Sequence, residues 1–183
     1  MRPIDRLAII WVSGFGTGFI PKLLRLPGVG GATWGSFGAL ILCMVVIWFA
    51  PSPLPILIGL SALHVIGSAL LIEHVEQLLG PQPDPKGRMR IHDQNQIVID
   101  EWLAVFLMNT GILWGFKNFG LDFGHLIWAM IFGTFLFRVI DILKPWPLSQ
   151  LERLGGWVGV IADDVVGGVV CIPVTLLLAY FLR

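Results

Sequence analysis

Five long apolar stretches constrain the fold of this chain of 183 residues. They cover residues 34–50, 54–71, 97–116, 123–143 and 158–182. Most are close to the roughly 20 residues that a helix needs to cross the hydrocarbon core of a bilayer. Because backbone groups in that core must find hydrogen bonds within the chain, such stretches fold as helices. The sequence therefore predicts an all-α membrane protein, a bundle of about five transmembrane helices, as a single domain over residues 1–183.

The composition agrees with this prediction. Apolar residues make up 56% of the chain and charged residues 13%, whereas soluble domains carry about 25% charged residues. The mean hydropathy is +0.82. The net charge of zero gives no reason to expect nucleic acid as a partner, and no obligate protein partner is inferred. Cys43 and Cys171 lie in apolar stretches and are interpreted as small core residues.

A further apolar segment, residues 7–20, precedes the five stretches. It is short, and Gly14, Gly16 and Gly18 interrupt it. We expect this segment to form a short re-entrant or interfacial helix, and a sixth span is the alternative interpretation.

Basic residues alternate between the two sides of the predicted bundle. One set of connections carries Lys22, Arg25, Lys86, Arg88, Arg90, Lys144 and Arg153. The opposite connections carry only Lys117 and the terminal Arg183. Because positive residues favour the cytoplasm, we expect the first set to face inward and the carboxyl terminus to lie outside.

Five carboxylates lie at the ends of apolar stretches that this orientation places on the cytoplasmic side. Asp100 and Glu101 open the third stretch, Asp141 closes the fourth, and Asp163 and Asp164 open the fifth. An ionised carboxylate at the edge of hydrocarbon is costly unless it has a partner. Carboxylate oxygens suit Mg²⁺, with Mn²⁺ as an alternative. We therefore predict a metal site with Asp100, Glu101, Asp163 and Asp164 as ligands.

The adjacent acidic pairs have a simpler interpretation as well. Acids are favoured near helix N-termini, so Asp100 and Glu101 could serve as capping residues. The recurrence of a pair at Asp163 and Asp164 favours the metal site. Neighbouring residues on a helix point about 100° apart. We therefore expect Asp100 and Glu101 to act differently, one on a metal and the other on a second ion, a water or a hydrogen bond.

Two cationic residues flank Asp141. Arg138 precedes it by three positions on one helix face, and Lys144 lies where Pro145 should end the helix. Both side-chain types bind phosphate well, and we predict that they bind a substrate phosphate. In the alternative interpretation, Arg138 only neutralises Asp141, and Lys144 extends to the membrane interface.

Glycine is frequent near the start of the chain, at residues 14–18 and 28–36. Thr33 and Ser36 supply hydroxyl groups there, so we predict that they contribute to phosphate binding. Glycine-mediated helix contacts are the alternative, because small residues are common where membrane helices meet.

Three segments taken together resemble the phosphatidylglycerophosphatase A family. They contain His92 and Asp93 with Asp100 and Glu101; Phe137, Arg138, Asp141 and Lys144 to Pro147; and Gly159, Asp163, Asp164 and Gly168. The resemblance implies Mg²⁺-dependent hydrolysis of phosphatidylglycerophosphate, a membrane lipid, to phosphatidylglycerol and phosphate. It also implies the bacterial inner membrane, with the active site facing the cytoplasm.

The family usually has glycine three positions after its Asp-Glu pair, whereas this chain has Ala104. We expect this methyl group to affect helix packing or the depth that substrate reaches.

The catalytic candidates implied are His92, Asp93, Asp100, Asp141 and Asp164. His92 or Asp93 would relay a proton to the leaving group or order the metal ligands, and the attack would come from water directly or through an aspartyl-phosphate. One rival is another Mg²⁺-dependent enzyme of lipid headgroups or polyprenyl phosphates. A second rival is a transporter with an acidic gate, for which charges near the membrane midplane and repeated halves are expected.

Overall fold

The computed structural model describes residues 1–26, 30–83, 89–90, 94–151, 154 and 156–182. Helices form nearly all of the described regular structure. They are α1 (Pro3–Val12), α2 (Ile20–Leu23), α3 (Gly31–Phe49), α4 (Pro53–Leu79), α5 (Ile99–Asn118), α6 (Leu126–Leu143), α7 (Leu148–Leu151) and α8 (Gly156–Phe181). Single 3₁₀ turns precede α2 and α6, at Thr17–Phe19 and Phe123–His125. A two-residue antiparallel pairing joins β1 (Gln82–Pro83) to β2 (Met89–Arg90).

Four of the described helical segments are long and apolar enough to cross a membrane: α3, α4, α8, and α6 together with its preceding 3₁₀ turn. The predicted class, a helical membrane protein, is confirmed. The remaining predicted span coincides with α5, which has 20 residues but carries Asp100, Glu101 and Lys117. The count of five spans therefore stays a prediction.

Helix α5 lies at the centre of the bundle. It packs against α3, α4, α6 and α8, and most of its side chains are buried, whereas Leu107 and Thr110 are half-buried and Trp114 is exposed. Phe106, Ile112 and Phe116 have no exposed surface. A helix surrounded by protein needs less apolar character than one that faces lipid, because other helices rather than hydrocarbon surround its polar groups. This position explains why the least apolar of the long helices lies innermost.

The N-terminal segment folds back on itself. Helix α1 has 10 residues, so it is about 15 Å long and too short to cross a bilayer. It packs along α4 with contacts near both of its ends. Asp5 Oδ1 lies 3.2 Å from His74 Nε2, and the rings of Trp11 and His64 are 4.9 Å apart. The chain then reverses at Phe15, which has a φ of 54° and is flanked by two glycines of positive φ. This reversal fits the re-entrant interpretation.

The beginning of α1 is fixed by charge. The Arg2 guanidinium donates hydrogen bonds to the Asp5 carboxylate at 3.0 and 3.3 Å. These bonds lower the pKa of Asp5 to about 2, so this carboxylate stays ionised and holds His74 of α4.

The end of α1 and the segment that follows it support the loop that leads into α5. Val98 donates its backbone N–H to the Val12 carbonyl at 3.0 Å. A methyl group on Gly18 would collide with the main chain of Gln96, and one on Gly31 would collide with Asn95. The N-terminal glycines therefore allow close backbone contact with residues 95–98, and this contact positions the start of α5.

Gly168 of α8 lies against the backbone of α5. A Cβ atom there would lie 2.9 Å from the Ala104 carbonyl oxygen and 3.4 Å from the Ala104 methyl carbon. Ala104, the residue that departs from the family pattern, is fully buried and fits because a glycine faces it. Gly111 and Gly115 make similar contacts farther along α5, against side chains of α8. Small residues thus allow the two helices to pack closely.

We expect Gly168→Ala to destabilise the protein by about 1–3 kcal/mol, because the added methyl group meets a backbone oxygen that cannot rotate away. The melting temperature of the purified protein in detergent measures this effect. Gly59→Ala is the matched control, since a Cβ at Gly59 of α4 has no neighbour within 4 Å. Equal melting temperatures for the two variants would contradict close contact at Gly168.

Candidate active site

The predicted carboxylates converge at one end of the bundle. Asp100 and Glu101 lie in the first turn of α5, Asp141 lies in the last turn of α6, and Asp163 and Asp164 lie about two turns into α8. The two acids of α8 lie deeper in their helix than those of α5 do in theirs, because α8 begins at Gly156. Three helices therefore deliver these carboxylates to one place, which we call the acidic cluster.

Carboxylate oxygens in the acidic cluster form two groups of three. One group contains Asp100, Glu101 and Asp164, and the other contains Asp141, Asp163 and Asp164. Within each group, one oxygen from every residue lies within 4.8 Å of the others. Asp164 belongs to both groups. Oxygen ligands at this spacing suit a hard divalent cation such as Mg²⁺.

Asp100 and Glu101 contribute to the same group, although adjacent helical residues point about 100° apart. The expectation that these two residues act differently rested only on the directions in which their side chains leave the helix. The glutamate side chain has one more rotatable bond, which lets its carboxylate turn toward Asp164. Asp100 also accepts the backbone N–H of Glu101 at 3.0 Å, which holds its own carboxylate at the start of the helix.

The acidic cluster is buried. Asp100, Glu101, Asp163 and Asp164 are each between 5% and 6% exposed. Removal of such ions from water costs several kcal/mol each unless opposite charge compensates. The cluster therefore requires cations, and the described part of the chain shows two of them.

Arg138 provides the first cation. Its Nη1 atom lies 2.9 Å from Asp141 Oδ2 and 3.9 Å from Glu101 Oε1, so it links α6 to α5. The side chain is 13% exposed. The buried Nε atom has no hydrogen-bond partner among the described residues, which leaves this donor for a phosphate oxygen.

Lys144 provides the second cation. Its Nζ atom lies 2.8 Å from Asp163 Oδ2, so it links the end of α6 to α8. Lys144 is the C-terminal cap of α6 and adopts a φ of 40°, a left-handed conformation that is uncommon for residues other than glycine. The helix ends there, and Pro145 directs the chain away.

Among the described residues, Arg138 and Lys144 are the cations that contact these carboxylates. The donor set and its spacing fit a metal ion.

Other predicted site residues lie apart from the cluster or outside the described chain. Ser36 is fully buried on α3 and donates its hydroxyl to the Ala32 carbonyl at 3.0 Å. No described contact joins Ser36 or its half-buried neighbour Thr33 to the acidic cluster. Their role in phosphate binding stays a prediction. His92 and Asp93 lie outside the described residues.

Sequence reasoning missed a narrow apolar cleft beside the cluster, which is too tight to admit a water molecule. Phe137, Ile140, Leu148 and Gly167 line it together with three charged residues. Gly167 adjoins Gly168, and nothing in the sequence separates the two glycines. Helix α7, which carries Leu148, is too short for a hydropathy signal.

Comparison with known proteins identifies relatives along the whole chain. A family model for phosphatidylglycerophosphatase A matches residues 10–179. A phosphatidylglycerophosphatase A of Haemophilus influenzae is 31% identical over 100% of this chain and 92% of its own length. One from Escherichia coli is 30% identical over 45% of this chain and 42% of its own length.

A relative from Bacteroides thetaiotaomicron is 28% identical over 92% of this chain and 91% of its own length. It is provisionally named a phosphatidylinositol-3-phosphatase. No solved structure matches the chain.

The fold and the site define a class: a helical membrane protein with buried carboxylates and two cationic side chains gathered at one end of its bundle. Because the family match covers most of its length, the chain belongs to the phosphatidylglycerophosphatase A family. It is a phosphoric monoester hydrolase. The resemblance found in the sequence is thereby confirmed.

We expect Arg138→Lys to lower phosphatase activity by roughly tenfold or more, mainly in kcat. Lysine keeps the charge but lacks the planar set of donors that spans two carboxylates and that, in the predicted role, binds a phosphate. Steady-state kinetics on the purified variant measures the loss, and Arg25→Lys, at an exposed arginine away from the cluster, is the control.

The double variant Arg138→Met with Asp141→Asn separates this role from simple charge balance. If the double variant regains the activity that each single variant loses, Arg138 only neutralises Asp141. A folded but inactive double variant supports the phosphate-binding role.

Proposed function

We propose that this protein hydrolyses phosphatidylglycerophosphate to phosphatidylglycerol and inorganic phosphate, in a Mg²⁺-dependent reaction at the cytoplasmic face of the bacterial inner membrane. The observation that carries the proposal is that two sets of three carboxylates share Asp164 and lie beside Arg138 and Lys144. The names of the Haemophilus and Escherichia relatives supply the substrate.

Asp100, Glu101, Asp163 and Asp164 would hold the metal ion. When bound there, Mg²⁺ supplies positive charge to the phosphate oxygens and to an attacking water. Mn²⁺ would fit the same oxygen ligands. Asp141 belongs to the set of three carboxylates that it forms with Asp163 and Asp164. It also binds Arg138, so it orients the guanidinium.

The cationic side chains would bind the phosphate itself. A phosphate monoester carries close to two negative charges at neutral pH, so the carboxylates alone would repel it. Arg138 offers its Nε donor, and Lys144 offers a point charge at the edge of the cluster. Charge that develops on the phosphoryl oxygens in the transition state strengthens both contacts.

The remaining proton transfers are assigned to residues outside the described chain. His92 or Asp93 would protonate the leaving glycerol oxygen or order the metal ligands, as the sequence predicts. Water attack and an aspartyl-phosphate intermediate, for which Asp100, Asp141 or Asp164 is a candidate nucleophile, are both retained.

The position of the charges favours an enzyme over a transporter. Asp100 lies in the first turn of its helix and Asp141 in the last turn of its own. These carboxylates therefore lie at one end of the bundle, whereas a transporter site is expected near the midplane. Another lipid phosphomonoester is the second candidate substrate, because the Bacteroides relative is provisionally named for one.

We expect the purified protein to release phosphate from phosphatidylglycerophosphate with Mg²⁺ and to lose this activity in EDTA. Asp164→Asn should lower the rate by about 100-fold or more, because Asp164 is the carboxylate that both sets of three residues share. Asp122→Asn, at an acid outside the cluster with 66% of its side chain exposed, is the matched control. Full activity in EDTA, or faster release from phosphatidylinositol 3-phosphate or a polyprenyl phosphate, would contradict the proposal.

The orientation is tested by cysteine labelling in intact cells, after Cys43 and Cys171, both free and buried, are replaced by alanine. Gln150 and Asn118 are exposed at opposite ends of the bundle. We expect a membrane-impermeant maleimide to label Asn118→Cys but not Gln150→Cys until the cells are permeabilised, since positive loops favour the cytoplasm. The reverse pattern would place the acidic cluster on the outer face.

A further inference from the structure

Helix α1 has one buried side and one exposed side. The buried side packs against α4 and contains Asp5, Ala8 and Val12. The exposed side carries three large apolar residues, Ile4, Leu7 and Ile10, which are 66%, 65% and 48% exposed. Because α4 is long and apolar enough to cross a membrane, a helix packed along it lies within reach of lipid. The exposed side of α1 is therefore suited to contact with lipid chains.

Helix α1 runs from the end of the bundle that carries the acidic cluster toward the middle of the bundle. Asp5 contacts His74 near the end of α4, whereas Trp11 contacts His64, roughly 15 Å earlier along that helix. The end of α4 lies beside the loop before α5, because the Gln94 side chain donates a hydrogen bond of 2.9 Å to the C-terminal cap of α4. The first turn of α1 therefore lies near the level of the lipid headgroups, and its later turns lie deeper.

Arg6 lies at the edge of the exposed side of α1 and is itself exposed. The adjacent Asp5 is already engaged, since its Oδ1 atom lies 3.0 Å from Arg2 Nη2 and 3.2 Å from His74 Nε2, and its Oδ2 atom accepts two further bonds from Arg2. Glu73, the next acid along the chain, lies against the first residue of α8, where a Cβ atom would be 2.9 Å from Oε1. Among the residues that the structure describes, no carboxylate pairs with Arg6.

A guanidinium without a described carboxylate partner, next to lipid chains, requires an anion from elsewhere. A cation at the edge of hydrocarbon is costly, and a long side chain lowers the cost by extending toward the headgroups. Arg2 lies four residues earlier and shares this edge of α1 with Arg6, so the two arginines and Asp5 together carry one positive charge. A phosphate group offers oxygens that match the planar donors of arginine. The edge of α1 therefore has the charge and the donors to bind a lipid phosphate.

We propose that α1 binds one anionic phospholipid, with the lipid phosphate at Arg6 and an acyl chain along Leu7 and Ile10. Charge complementarity selects an anionic lipid, because the ammonium group of phosphatidylethanolamine would offset its own phosphate at an edge that is already positive. The acidic cluster contains no residue of α1, so this site is separate from the active site. The inference does not depend on the proposed reaction.

A local fluorescent probe tests the inference without interference from lipid bound at the acidic cluster. Ile10→Cys, in a protein whose two native cysteines are replaced by alanine, carries the probe one turn beyond Arg6. The protein is placed in bilayers of equal parts phosphatidylglycerol and phosphatidylethanolamine, and one of the two lipids has brominated, quenching acyl chains. We expect phosphatidylglycerol to quench with about fivefold higher relative affinity. The same probe on Leu177→Cys of α8, at a position 58% exposed, should show no preference.

Arg6→Gln is the decisive variant, and it should reduce the preference for phosphatidylglycerol at Ile10→Cys to about one. Lys117→Gln removes the same charge from an exposed residue in the last turn of α5, at the other end of the bundle, and should leave the preference unchanged. Melting temperatures in detergent should be equal for both variants. Equal quenching by the two lipids in the otherwise wild-type chain would show that bulk bilayer covers this face and would overturn the inference. Weak quenching by both lipids would show that protein covers it, with the same consequence. A preference that persists in Arg6→Gln would also overturn the assignment.

Discussion

Buried negative charge is the constraint on which the rest of this structure depends. The acidic cluster brings together carboxylates from α5, α6 and α8, and only Arg138 and Lys144 are described as its cationic partners. Charges removed from water are stabilised only where their partners are held at short distance. The end of the bundle that carries the cluster must therefore be rigid, and several features of the fold serve this requirement.

The central position of α5 is the first of these features. Its opening acids would be costly against lipid, and the surrounding helices keep them away from it. The N-terminal segment then fixes the loop before α5. Val98 donates a backbone hydrogen bond to Val12, and Gly18 and Gly31 lie in close contact with the loop. Gly168 brings α8 close enough for its two acids to meet those of α5. Glycines far apart in the chain thus position one site.

The sequence predicted the helices where hydropathy reports them. The stretch at 123–143 coincides with α6 and its preceding 3₁₀ turn, whereas α4 continues eight residues beyond the predicted 54–71. That extension contains Glu73, His74 and Glu76, whose polarity ends an apolar stretch without ending a helix. Convergence of the acids was also predictable, because successive spans alternate in direction. Gly167 and Gly168 are indistinguishable in the sequence, and only the structure shows that Gly168 meets the backbone of α5 whereas Gly167 faces the side chains of Phe137 and Leu148.

The last turn of α6 shows how one short segment can serve both a charged reaction and an apolar substrate. Arg138 and Asp141 are three residues apart and share the face that meets the acidic cluster. Ile142 and Leu143 lie on the remaining faces and are exposed. Lys144 ends the helix in a left-handed conformation, and its ammonium group still contacts α8. A lipid phosphate at this turn can keep its chains in hydrocarbon while its headgroup meets fixed charges. Under the proposed function, the substrate therefore does not have to leave the bilayer to react.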